Sequence, residues 1–159
     1  TYPLPEAQRD RFMTRITMGY PSRDSELEML ERHGAHNPLD ELYPVTHGER
    51  ITELIDVVGS VYVADVVKDY LVNIVAATRS HDAVRLGASP RASLHLIRTA
   101  RAKAALAGRD YVIPDDVQAM AIPVLAHRLL PSTRAQLDGI SPVDIVSQIL
   151  TSTPVPEQA

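Results

Sequence analysis

The chain has no cysteine, no tryptophan and a single phenylalanine, Phe12, among its 159 residues. Without cysteine it forms no disulfide, offers no thiolate nucleophile and binds no metal through sulfur. No run approaches the 18 apolar residues that a membrane helix needs, and no signal peptide is visible, so a cytoplasmic location without membrane insertion is expected. A GxxxxGK[ST] loop is also missing, so the chain does not grip a nucleotide by that device alone. Basic side chains number 16 against 20 acidic ones, for a formal net charge of -4. That balance gives no general attraction to nucleic acid, which is not expected as a partner.

What is present is helical. At 17.5 kDa, with 45% apolar and 23% charged residues, the chain reads as one globular domain or two small units. Glu6–Phe12 suits one or two helical turns after Pro5, and Ile16–Pro21 an extended segment closed by a turn. Ser22 is placed to cap a helix over about 23–32, with Leu27 and Leu30 inward and Gly34 ending it. A loop from His36 to Pro44 carries Leu39 and Leu42 as expected anchors. Thr46–Glu49 has capping-box spacing before a helix using Ile51, Leu54, Ile55 and Val58 and stopping near Gly59.

The clearest period lies over 64–79, where Val66, Val67, Tyr70, Leu71, Ile74, Val75 and Thr78 share one face. Ser89 and Pro90 open a helix running to Ala107, with Leu94, Ile97, Ala100, Ala104 and Ala105 inward and Gly108 as its C-cap. Tyr111–Ile113 is too short to count as a strand. Pro114-Asp115-Asp116 starts a helix burying Val117, Met120, Ala121, Val124 and Leu125, with Pro123 as a kink or break. Ser141-Pro142-Val143-Asp144 caps a last helix through Leu150, leaving 151–159 as a disordered tail. About six helices with short connections predict an all-α bundle.

Two arginines are the candidates for chemistry. Arg91 lies in the first turn of the helix opened by Ser89, where free amides and the positive dipole end favour an anion. Arg11 sits between Asp10 and Phe12, whose ring could pin the backbone while the guanidinium points outward. A solvated helix start and a surface ion pair of Arg11 with Glu6 or Asp10 are the plain alternatives. His33, His36 and His47 lack a completing carboxylate pair or cysteine, so no metal site is expected. His81 and His127 read as helix-terminal polar groups, and His95 as facing core or interface. No histidine stands in a base–nucleophile arrangement, and Asp65, Asp115 and Asp116 suit helix starts better than acid–base pairs.

Several stretches resemble one family. Tyr2–Phe12 followed by Gly19-Tyr20-Pro21 looks like the end of the ATPase core of MoxR-type AAA+ proteins. Leu86–Ala92 resembles that family's sensor 2 segment, while Gly108–Val117 and Ala126–Leu129 resemble its helical lid. The likeness covers about residues 1–130 in the family's order. Arg9 departs from it, since the family usually has leucine there, as in AQLDRF, and packing of that segment is then in doubt. The nucleotide-binding loop, the Mg-binding acidic motif and sensor 1 precede this region in the family and are absent.

The resemblance implies an end of the AAA+ core over 1–21, a helical lid over 22–150 and a tail over 151–159. By position Arg11 resembles the finger arginine that reaches the γ-phosphate in a neighbouring subunit, a catalytic role in trans. Arg91 resembles the sensor 2 arginine, which contacts nucleotide phosphates from the subunit's own lid. The cofactors implied for the intact protein are ATP and Mg2+; the partners are its own N-terminal ATPase core, neighbouring subunits of a hexameric ring and protein clients that it remodels or matures. The chain alone is expected to lack ATPase activity and to bind no nucleotide tightly. The rival reading is a non-enzymatic helical interaction or DNA-binding module built on Arg98, Arg101 and Lys103. Arg91 is predicted to lie exposed at its helix start, beside the surface that would face a core domain.

Overall fold

A computed structural model describes residues 4–33 and 38–156. The expected helix stop at Gly34, the loop residue His36 and the last three residues of the tail lie outside the described residues.

The chain divides into two compact units, Thr1–Arg15 with Asp56–Ala159, and Ile16–Ile55. In the second unit, α2 spans Arg23–His33, a 3-10 turn spans Pro38–Glu41, and α3 (Gly48–Ser60) begins. The Ser22 hydroxyl accepts the Ser25 amide at 3.2 Å, as a cap should. The inward faces expected here do not form. Leu27, Leu30, Leu39 and Leu42 are exposed, as are Ile51, Leu54 and Ile55 of α3; Val58 is half-buried. Helical spacing reveals which side chains share a face, and is silent on what that face meets.

In the first unit the elements are α1 (Glu6–Arg9), the end of α3, α4 (Asp65–Ser80), β1 (Val84–Leu86), α5 (Pro90–Leu106), α6 (Pro114–Leu125), β2 (Leu130–Pro131), α7 (Thr133–Leu137) and α8 (Pro142–Ser152). The result is an all-α bundle with a short two-stranded antiparallel ribbon, β1 against β2. Tyr111–Ile113 forms no strand; Tyr62 bridges it in parallel, donating to Asp110 at 2.8 Å and accepting from Val112 at 2.9 Å.

The core lies where α4, α5, α6 and α8 meet, around Ile74, Val75, Leu96, Val117, Val124, Leu125, Ile145 and Ile149. Each such aliphatic side chain contributes about 1.5–3 kcal/mol by leaving water. On α4 the expected stripe is buried except for Val66, which is exposed. On α5 the buried face is rotated from the expected one. Ala92, His95, Leu96, Thr99, Ala100 and Ala104 point inward, Leu94 is exposed, and Ile97 and Ala105 are half-buried. The cause is that two polar residues find partners inside. Thr99 donates its hydroxyl to the His95 and Leu96 carbonyls at 3.0 Å, and His95 meets an arginine described below.

Gly108 ends α5 with φ +73°, a left-handed conformation that glycine adopts at little cost. α6 passes through Pro123 unbroken to Leu125 and continues as one 3-10 turn, Ala126–Arg128. α8 is capped as expected: Ser141 Oγ accepts the Asp144 amide at 3.2 Å, and Asp144 accepts the Ser141 amide at 2.9 Å. It runs to Ser152, two residues past Leu150.

Candidate functional site

The site begins with a tight approach of backbone to backbone. Gly87 lies against the end of α4 so closely that a β-carbon there would stand 2.6 Å from the Thr78 carbonyl oxygen. The Ala88 amide donates to the Thr78 hydroxyl at 3.0 Å, and Arg79 donates Nε to the Ala88 carbonyl at 2.8 Å. The turn that delivers Ser89, Pro90 and Arg91 is therefore fixed to α4 before α5 starts.

Pro90 occupies the first turn of α5, where its missing amide costs nothing. Ser89 stands at the N-cap but its hydroxyl does not cap the helix. It donates instead to both carboxylate oxygens of Asp10, at 3.0 and 2.9 Å. Asp10 closes α1, next to Arg11, so the hydroxyl ties the first helix of the chain to the start of the fifth. Arg91 points toward the same carboxylate at 3.9 Å and keeps 48% of its side chain exposed. That loose, solvated pair is worth little by itself and leaves the guanidinium available.

The other side of the cluster is a buried arginine. The Arg128 side chain is 1% exposed. It donates Nε to Asp10 at 3.3 Å, and its terminal nitrogens reach the carbonyls of Asp10, Phe12, Met13 and Val124. One of those nitrogens also lies 2.5 Å from Nδ1 of His95. Nε2 of His127 lies 3.1 Å from the Phe12 carbonyl, and the Arg15 amide donates to the Pro123 carbonyl at 2.9 Å.

The expected anchoring by the Phe12 ring does not occur, because that residue is 56% exposed. The segment is held through its carbonyls rather than by an aromatic side chain. His127 stands with Arg128 in the 3-10 turn that follows α6, a helix-terminal position as expected, but both side chains are buried, and His95 faces the core. A weak signal for Arg128 existed in the sequence, since it shares a helical face with Leu125 on an otherwise apolar stretch. Arg11 itself is exposed, and its guanidinium makes no ion pair among the described residues.

The electrostatics suit this arrangement. Burial first, and then the Arg128 charge, lowers the pKa of His95, so the ring is neutral and can accept from the guanidinium. His127 is lowered too, chiefly by burial, although its bond to the Phe12 carbonyl opposes this. Burial also pulls down the pKa of Arg128, while Asp10 pushes it up; the group stays charged.

Other charged residues serve structure. Asp116 is buried, which by itself would raise its carboxyl, but the two-pronged bond from Arg109 at 2.8 and 2.6 Å and the Ile113 amide bring it below the usual range. Asp65 pairs with Lys68 at 2.8 Å, and His81 accepts the Ala83 amide at 3.1 Å. Among the described residues, no three His, Asp or Glu side chains gather as metal ligands. Arg98 and Lys103 are exposed but Arg101 is half-buried, which interrupts the basic stripe of the rival reading. No helix among the described residues is long and apolar enough to cross a membrane.

Residues 76–149, from α4 to α8, match the family model of the AAA lid domain. The chaperone MoxR1 of Mycobacterium tuberculosis is 39% identical over 98% of this chain and 43% of its own length. The uncharacterized protein YeaC of Bacillus subtilis is 44% identical over 99% of this chain and 49% of its own. This chain resembles the lid and C-terminal region of MoxR-family AAA+ ATPases. A crystal structure of a candidate ATPase from Cytophaga hutchinsonii superposes with a TM-score of 0.88 and 32% identity, over 98% of this chain and 50% of the other. The chain thus spans about half the length of the MoxR proteins and other relatives it matches.

The chemistry of these side chains suits phosphate oxygens and does not suit Mg2+. Arg11 and Arg91 offer exposed, planar donors, whereas the nearby Asp10 carboxylate is already engaged by Ser89 and Arg128.

Proposed function

We propose that this chain is the lid-bearing half of a MoxR-type AAA+ ATPase and presents Arg11 and Arg91 to ATP phosphates at a boundary between subunits. ATP would supply a γ-phosphoryl group whose equatorial oxygens gather negative charge as it transfers. Arg11, exposed and with no ion pair among the described residues, donates paired hydrogen bonds to that charge from the neighbouring subunit. Arg91 donates from the start of α5 and links phosphate occupancy to the position of the lid. Neither group holds Mg2+ or activates water, so those tasks, and the gripping of ATP, fall to an ATPase core that this chain does not contain. By itself the chain hydrolyses nothing. In the intact protein a ring, hexameric as in other AAA+ proteins, would turn hydrolysis into remodelling or maturation of protein clients.

One observation carries the reading: Asp10, the residue before Arg11, is bonded to Ser89 and faces Arg91, so both guanidiniums are presented from one cluster. Two arginines on one patch suit one phosphate chain, which favours both acting on the same nucleotide. The test is subunit mixing in the intact protein. Arg11→Ala is expected to lower turnover by ~10³-fold or more, in line with trans-acting fingers. Mixing with subunits that keep Arg11 but cannot bind ATP restores part of it. Equal restoration for Arg91→Ala assigns both arginines to the neighbour's nucleotide. Restoration for Arg11→Ala alone returns Arg91 to its own subunit's nucleotide. Wild-type turnover in both variants overturns the reading.

A further inference from the structure

We infer that Arg128 is the positioning residue of Arg11: a buried guanidinium that holds the finger segment to the lid by its carbonyls. This rests on the finger reading above and adds to it how the finger is aimed. Arg128 reaches the carbonyls of Asp10, Phe12 and Met13, the residues on either side of Arg11, while Arg11 itself stays in solvent. Phe12 and Met13 are exposed and α1 is a single turn without a buried residue, so the segment is held by polar contacts. Ser89 on Asp10, His127 on Phe12 and the Arg15 amide on Pro123 add single holds, while Arg128 by itself contacts three of its residues.

Arg128 is itself held from behind by the Val124 carbonyl and by His95 on α5, and from the side by the Asp10 carboxylate. The five N–H groups of the planar fork face six acceptors here, so one donor is shared, whereas a lysine ammonium has only three to offer. The same α5 carries Arg91 one helical turn before His95. The lid helix therefore sets the backbone on both sides of the finger while presenting its own arginine.

The experiment uses the intact protein with Arg128→Lys, which keeps the charge and removes the fork. Turnover is expected to fall ~10- to 100-fold, the scale of a misplacement of about 1 Å, with ATP affinity unchanged. Hydrogen exchange is expected to quicken at the amides of residues 11–15, the Arg15 amide included. Because Arg128 acts through Arg11, the double variant Arg11→Ala/Arg128→Lys is expected to be no slower than Arg11→Ala alone. A merely structural role would multiply the two losses.

Wild-type turnover or exchange in Arg128→Lys, or multiplied losses in the double variant, overturns the inference. Should Arg128→Lys fail to fold, His95→Asn loosens the same guanidinium from one side. Its expected result is a several-fold loss that vanishes in the Arg11→Ala background, and an unchanged rate counts against the inference. If Arg11→Ala keeps full turnover, the finger reading fails while faster exchange still records the clamp. If Arg11→Ala is slow and Arg128→Lys is not, the finger stands and the positioning role falls.

Discussion

The Ser89 hydroxyl donates to both oxygens of the Asp10 carboxylate, 79 positions earlier in the chain, instead of capping the helix it precedes. Helix α5 thereby begins without a side-chain cap of its own, and the end of α1 is bound to it. Arg11 follows Asp10 directly in the chain, and Arg91 lies two residues after Ser89.

Replacing Ser89 with alanine removes that bond and leaves α5 otherwise intact, since no cap is lost. Stability is expected to fall by about 1 kcal/mol, the worth of one partly exposed hydrogen bond, measured by urea unfolding. Turnover of the intact protein is expected to fall more than that small loss suggests. A stability loss with unchanged turnover would confine Ser89 to a structural part.

Gly87→Ala is expected to destabilise the bundle by about 3 kcal/mol, because the added carbon meets main-chain atoms of Thr78 and Arg79 that cannot rotate away. Thermal unfolding of this variant beside Gly59→Ala, where a β-carbon meets nothing within 4 Å, separates crowding from a general intolerance of alanine.

Acid is expected to loosen the clamp before it unfolds the rest. His95 and His127 have native pKa values below the ordinary 6.5, so below that pH the unfolded chain binds more protons than the folded one. Their contribution is fully present above pH 6.5 and is lost as pH falls from there through the native values. Protonated His95 would also face Arg128, with Arg98 and Arg91 nearby and Asp10 as the opposing charge. Melting temperature measured from pH 7.5 down to 5.5 should fall, and His95→Asn should flatten part of the decline.

Arg109→Ala strips the buried Asp116 carboxylate of its fork. The melting temperature is expected to drop by several degrees at neutral pH. Asp116 is lowered in the folded wild type, so its contribution is present above the ordinary carboxylate pKa and lost as pH falls through the native value. The gap between wild type and Arg109→Ala should therefore narrow in acid, and a gap independent of pH would refute the assignment.

Much of the bundle was legible in the sequence, and the reasons differ by element. The α4 stripe, the Gly108 stop and the Ser141–Asp144 box are local, and local rules describe them well. On α5 the spacing of the apolar residues alone points to a face rotated from the buried one, because the inward partners of His95 and Thr99 come from distant or main-chain groups that spacing does not reveal. Arg91 and Arg11 could be picked out from motif resemblance. Their connection through Asp10, and the burial of Arg128, depend on contacts 79 to 118 residues apart. The ribbon of β1 and β2 was missed for the same reason: five residues in two pieces carry almost no periodic signal.

The close seat of Gly87 on Thr78 bears on where such a protein can bend. With no room for a side chain and two hydrogen bonds across the junction, the corner between α4 and α5 is a weld rather than a joint. Any swing that opens or shuts a nucleotide cleft must then pivot at some other place along the polypeptide, and the corner travels with it as a rigid elbow.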